Sequence, residues 1–286
     1  MDIGIGLPAT IPGTRRDQML EWARRAEARG FSTLGTIDRL VYGGQEPLIA
    51  LAAAAAVTER IRLATGILLA PLRANGAILA KQAASLDALS DGRLVLGVAV
   101  GGRPDDYEAA GVPFRARGRI FDEMLDRWVR IWDGEPFGTA GRIGPAPPRG
   151  RPTLIFGGMA DAALARAARY GDGWTVGNET PERYARERAR LQAAWDAAGR
   201  TDAPHTLAQP YYALGPNAKQ AAERSLRDYY TFAGDYADTI VASAVTDADT
   251  VRRLVREFEV VGCDELLFFP CDPDPDQVDL LADALA

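Results

Sequence analysis

Two cysteines, Cys263 and Cys271, and a single histidine, His205, are the only soft metal ligands in 286 residues, which excludes an ordinary zinc site. The cysteines bracket the apolar run ELLFFP. Read as a strand rising ~3.3 Å per residue, that run holds them too far apart for a disulfide. Long hydrophobic stretches are also missing: the longest, around Leu48 to Val57, falls far short of the ~20 residues of a membrane span. The opening MDIGIGLPAT has neither the basic start nor the apolar centre of a secretion signal, so a cytoplasmic location is expected. Positive charge is in deficit, 33 basic against 39 acidic residues and a net charge of −6, which argues against nucleic acid or an anionic membrane as a partner. Lysine is nearly absent. Lys81 falls inside a helical pattern and Lys219 follows a loop, so a Schiff-base aldolase has no suitable nucleophile. With so many arginines, any one of them needs a positional argument before it counts as functional.

What is present is a globular composition, 47% hydrophobic and 25% charged. Short β-branched or apolar runs alternate with longer amphipathic stretches, and no linker interrupts them. Strands are expected near Ile3 to Leu7, Thr33 to Ile37, Ile61 to Leu68, Leu94 to Val98, Thr153 to Phe156, Trp174 to Val176, Thr206 to Ala213 and Glu265 to Phe269. Helical spacing fills the gaps from Gln18–Arg29 to Pro275–Leu285. Eight β/α pairs predict a single α/β domain over residues 1–286, a (β/α)8 TIM barrel with extra helices between strands seven and eight.

A barrel makes position meaningful, because catalytic groups gather where strands end and loops lead into helices. Three such segments stand out: Asp38 to Gly44, Ala70 to Gly76 and Gly101 to Gly118. The Pro/Gly-rich stretch from Gly134 to Pro152 joins a helix to a strand, so it belongs at the opposite end and carries no chemistry. Tyr229, Tyr230, Phe232 and Tyr236, before strand eight, either roof the mouth or pack as ordinary helix residues. Phe156-Gly157-Gly158-Met159 runs from a strand into a helix beginning near Asp161, where free N–H groups and the helix dipole suit a phosphate. A lone Gly-Gly is equally a tight turn, and the phrase matches neither a GxGxxG fingerprint nor a P-loop.

Four longer phrases, ARRAEARGFSTLGTIDRL, TERIRLATGILLAPLR, LAKQAASLDALSDGRLVLGVAVGG and ARYGDGWTVG, spread the signal from Ala23 to Gly177. In them the chain resembles the luciferase-like flavin oxidoreductases, the family of bacterial luciferase and of many deazaflavin-dependent enzymes. The resemblance implies a TIM barrel, usually a homodimer, holding FMN or coenzyme F420 at its top. The ring would lie near Asp38, Gly66, Ile67, Asn75, Val100, Gly101 and Gly102, and the phosphate near Gly157, Gly158 and Met159. It also implies a non-prolyl cis peptide near Gly66-Ile67.

Departures from the family pattern shape the functional expectation. Deazaflavin-dependent sugar-phosphate dehydrogenases resembling this chain carry a His after strand two and a Glu after strand four, where this sequence has Arg39 and Gly102. Their acid/base pair is absent. Asn75 is followed by Gly76 where relatives have Pro, and His205 falls at the start of strand seven, on the stability face. Asp38 and Arg39 become the catalytic candidates: Arg39 either holds negative charge on a reduced ring through fixed donors or ties down its loop as an ion pair. Arg103, Tyr107 and Trp174 are expected around the substrate. The expected function is a monooxygenase using O2 and reduced FMN, supplied by a separate flavin reductase, on a small organic substrate. The alternatives are F420-dependent hydride transfer and a flavin-binding protein without turnover.

Overall fold

The computed structural model describes residues 1–286. Short runs of apolar residues form ten strands: β1 Asp2–Gly6, β2 Thr33–Thr36, β3 Arg62–Thr65, β4 Leu68–Leu69, β5 Leu94–Ala99, β6 Thr153–Gly157, β7 Gly173–Val176, β8 His205–Ala208, β9 Tyr211–Tyr212 and β10 Glu265–Pro270. All pair in parallel. β1 pairs with both β2 and β10, so the sheet closes and leaves no open edge. β3 and β4 both pair with β5, and β8 and β9 both pair with β10, so each couple is one interrupted stave of an eight-stave barrel. The first break falls at Gly66-Ile67, whose peptide is cis. The second falls at Gln209-Pro210, where proline has no N–H for the ladder. Unbroken strands over 61–68 and 206–213, as the sequence pattern suggested, therefore do not form.

The helices are α1 Arg16–Ala28, α2 Pro47–Ala55, α3 Gly76–Leu89, α4 Pro104–Ala109, α5 Arg117–Trp132, α6 Asp161–Tyr170, α7 Pro181–Ala197, α8 Ala218–Tyr229, α9 Tyr236–Ser243, α10 Ala248–Val260 and α11 Asp276–Leu285. In α5, Phe121, Met124, Leu125, Trp128, Ile131 and Trp132 recur at helical spacing and are buried against the barrel. One helix was not foreseen, α4 inside the fourth loop; among the extra helices expected between strands seven and eight, α8 stops at Tyr229 and α9 begins beyond a turn at Gly234 (φ +56°). No helix is long and apolar enough to cross a membrane.

Inside the barrel, β10 supplies bulk and its neighbours supply room. A Cβ at Gly35 would stand 2.7 Å from Leu267, and one at Gly6 would stand 2.3 Å from Phe269. Below them the carboxylate of Glu265, 2% exposed, accepts from Ser32 at 2.5 Å, with Arg62 at 3.2 Å and His205 at 3.4 Å. Burial alone would raise this carboxyl. The His205 hydrogen bond, the Arg62 charge and the Ser32 hydroxyl outweigh it and hold the pKa at about 2. His205 thus sits on the stability face, as expected.

Candidate active site

The strand ends at the opposite face surround a cavity of about 360 Å³. One wall is Gly157, Gly158 and Met159 at the end of β6. Gly157 is bare because the Ile67 side chain crosses it, and a Cβ there would stand 2.3 Å from Ile67. Gly158 holds φ +114°, a conformation that suits glycine. Its carbonyl accepts from Trp174 Nε1 at 2.8 Å. A trans peptide points the next N–H the opposite way, so Trp174 aims the Met159 N–H. The N–H groups of Gly158, Met159 and Ala160 meet no protein acceptor, and α6 begins at Asp161. This is a cradle of free donors at a positive helix end. Arg183 stands beside it, 3.8 Å from the Met159 sulfur and 3.4 Å from Glu179. Burial raises the Glu179 carboxyl above its ordinary value, with Arg183 opposing.

Two further polar groups in the cavity lack partners. Thr175 Oγ1 is buried without a hydrogen bond. The Gln209 amide, buried at the break in the seventh stave, meets no protein partner either; a Cβ at Gly66 would be 2.7 Å from its nitrogen. Gly101 and Gly102 leave the end of β5 open, and Tyr229, Tyr230, Tyr236 and Ile240 form the roof. The roofing alternative for these three tyrosines is therefore the one realised, while Phe232 lies over Arg103, 3.7 Å from its guanidinium.

The other expected site residues separate into two sets. Asp38, Arg39, Gly66, Ile67 and Arg103 all line the cavity. Asp38 and Arg39 do not pair with each other. Asp38 accepts from Leu69 N at 2.8 Å and from Arg73 at 2.6 Å, which pins the end of the third stave. Arg39 donates to the carbonyls of Val41 (3.0 Å) and Tyr229 (3.4 Å) and faces Asp106 at 3.4 Å. It clamps the second loop to α4 and to the roof. Arg103 is paired with Asp105, and its Nη1 has no partner.

Tyr107, Trp174, Asn75 and Val100 lie outside the cavity lining. Tyr107 belongs to α4, is buried among Leu69, Leu72 and Val112, and donates its hydroxyl to Val100 O. Trp174 faces outward from β7 onto Tyr184, because alternate strand residues point to opposite faces and Thr175 takes the inward place. Asn75 caps α3, its oxygen accepting from Ala77 N at 3.1 Å and Ile78 N at 3.4 Å. It borders an outer groove between α2 and α3 that shares Asp38 and Arg39 with the cavity. Sequence reasoning missed Thr175, Gln209, Tyr211 and Arg183. The parity of GWTVG and the proline in AQPYY were the available signals for the first three.

Comparison with known proteins places this geometry in context. A luciferase-like monooxygenase family model matches residues 1–265. An uncharacterized protein of Mycobacterium tuberculosis is 35% identical over 209 residues, 63% of this chain and 72% of its own length. Among solved structures, monooxygenase RslO1 from Streptomyces bottropensis superposes with TM-score 0.78 at 24% identity, covering 100% of this chain and 98% of that one. An F420-dependent secondary alcohol dehydrogenase in complex with an F420-acetone adduct gives 0.80 at 20% identity, covering 100% of both chains. The FMN-bound oxygenating constituent of 3,6-diketocamphane monooxygenase from Pseudomonas putida gives 0.75 at 18%, covering 100% and 98%.

Proposed function

Because the chain belongs to the luciferase-like monooxygenase family, we propose that it is a flavin-dependent monooxygenase that binds reduced FMN at the barrel mouth and oxidises a small organic substrate with O2. The carrying observation is the set of buried or backbone donors without protein partners in one cavity: the N–H groups of Gly158, Met159 and Ala160, with Thr175 and Gln209 nearby. Unpaired donors of this kind cost stability unless a ligand satisfies them.

In this reading the three N–H groups and Arg183 hold the phosphate. Thr175 and Gln209 hydrogen-bond the ring or its chain, and Asp38, Gly66, Ile67, Gly101 and Gly102 form the surface beneath it. When bound, reduced FMN supplies the electrons that activate O2. Arg39 keeps the tyrosine roof closed, which excludes water, and Arg103, paired with Asp105 and lying over Phe232, holds the neighbouring loop in place. Asn75, Val100, Tyr107 and Trp174 act from behind the wall, holding the loops that make contact. A separate reductase supplies the reduced cofactor. The outer groove exposes Ile49, Ile78 and Leu89, which are 70%, 57% and 78% exposed, and a homodimer joined there would cover them. Light scattering should give twice the chain mass, and the chain mass alone would remove the dimer.

The deciding experiment adds FMN and coenzyme F420 separately to apoprotein. A ligand at a hundred times its Kd stabilises by about 2.7 kcal/mol, so FMN should raise the melting temperature by several degrees and F420 should not. A rise with F420 alone would replace the oxygenase with hydride transfer, and a rise with neither would remove the cofactor reading.

A further inference from the structure

The Arg183 guanidinium stands between the N–H cradle and a carboxylate. Its Nη2 lies 3.8 Å from the Met159 sulfur, and its Nη1 faces Glu179 at 3.4 Å. Glu179 lines the cavity with its side chain 12% exposed, and no hydrogen bond reaches its carboxylate. Burial raises this carboxyl, and Arg183 is the chief influence against burial. A carboxylate withdrawn from water and held by one guanidinium depends on that guanidinium to stay charged.

The two partners differ in freedom. Glu179 is fixed by its chain neighbours: the Asn178 amide donates to Ser243 Oγ on α9, and Thr180 caps α7, accepting from Arg183 N at 3.3 Å. Arg183 is 46% exposed on a long stem and is free to pivot. No other nearby charge replaces it. On α7, Glu187 and Arg186 act on Glu179 in opposite directions, and Arg190 is taken by Glu187 and by Asp161 at the start of α6. On α9, Asp238 is paired with Arg227; across the cavity, Asp38 is paired with Arg73, Arg39 faces Asp106 and Arg103 is paired with Asp105. A phosphate dianion in the cradle would be the stronger acceptor for the guanidinium and would add like charge beside Glu179.

We propose that Glu179 couples phosphate recognition to a proton: a phosphomonoester on the N–H groups of Gly158, Met159 and Ala160 draws Arg183 off Glu179, and the carboxylate takes up one proton from solvent. This rests on the cofactor reading above. The site thereby prefers a flavin bearing a phosphomonoester over the same flavin without one, and prefers it more strongly as pH falls. The sign follows from linkage, since a ligand whose binding takes up a proton binds more weakly as pH rises.

The test uses oxidised FMN and riboflavin, which share the ring and differ in the phosphate. Calorimetric titrations of the apoprotein at pH 7 in Pipes and in imidazole, buffers of different ionisation enthalpy, count the protons taken up. The phosphate of free FMN, with a second pKa of ~6, is already largely dianionic there. FMN binding should take up about half to one proton and riboflavin binding none, and FMN affinity should fall about three- to tenfold from pH 7 to pH 8. Glu179→Gln should abolish the uptake and flatten the FMN profile. Arg183→Gln removes the counter-charge in advance, so it should weaken FMN binding and lose most of the uptake. FMN binding without proton uptake in the parent, or uptake that persists in either variant, would overturn the proposal while the cofactor reading stood. Equal uptake with riboflavin would assign the proton to the ring and overturn it likewise. A parent that binds no FMN would remove both.

Discussion

At the lower end of the barrel the Glu265 carboxylate is surrounded by Ser32, Arg62 and His205; at the upper end the Thr175 hydroxyl, equally buried, touches no acceptor or donor. The contrast extends beyond these residues. Below, Glu27 accepts from the backbone N–H groups of Glu59, Arg60 and Ile61, and Arg93 donates to the carbonyls of Ala55, Thr58, Ile61 and Ser90. Above, the third and seventh staves break, and free donors collect beside bare glycines. The staves are shared, yet one end has most of its polar groups matched within the protein, Asp87 Oδ2 excepted, while the other leaves a cluster of donors without protein partners. Stability and binding are thereby assigned to opposite ends of the same strands.

The largest effect expected from breaking this division is at the lower end. Glu265 titrates at about 2 in the fold and near 4.3 when unfolded, so its contribution is full above roughly pH 5 and is lost as pH falls toward 2. Glu265→Gln should therefore cost about 3 kcal/mol at pH 7, lowering the melting temperature by roughly 5 to 10 °C. The gap between variant and parent should close as acid is added. FMN affinity, measured by fluorescence titration below the transition, should not change; a loss there would mean that the two ends are coupled.

An intermediate effect is expected at the phosphate cradle. Gly158→Ala and Gly158→Asp share the penalty of a side chain at φ +114°, and only the second adds charge. Up to ~2 kcal/mol of charge–dipole interaction is at stake, so the Asp variant should bind FMN about thirtyfold more weakly than the Ala variant. Equal affinities would place the phosphate elsewhere.

The smallest effect should also have opposite signs in the two states. Thr175→Val removes a buried hydroxyl without a partner, so the apoprotein should gain up to about 1 kcal/mol and melt slightly higher. FMN binding should weaken about fivefold. Calorimetry of both forms measures the trade, and a lower apoprotein melting temperature would show that Thr175 is satisfied after all.

Much of the barrel was legible in the sequence, because hydrophobic period and strand length are local properties. Most expected strand limits fall within a residue or two of the observed ones, and Gly157 and Gly158, at the end of β6, do lie at the mouth. Local period also explains the misses. In PDDYEA a proline followed by two acids is a helix start, and reading it as loop placed Tyr107 at the mouth. Trp174 and Thr175 are adjacent, so choosing one as wall assigned the other to the wrong face. Partner choice was not legible. Asp38 takes Arg73 and Arg39 takes Asp106, choices that depend on how loops from different staves meet. With 33 basic residues, no spacing rule would have selected them.

Phe269 both lines the mouth and fills the space left open by Gly6. Its ring closes one side of the cavity, and it belongs to a strand rather than to a loop. The depth of the cavity is thus separable from its rim: loop residues can vary around the mouth while a ring on the barrel wall stays in place beneath it. A lineage exploring longer molecules would have to change the wall of the barrel itself.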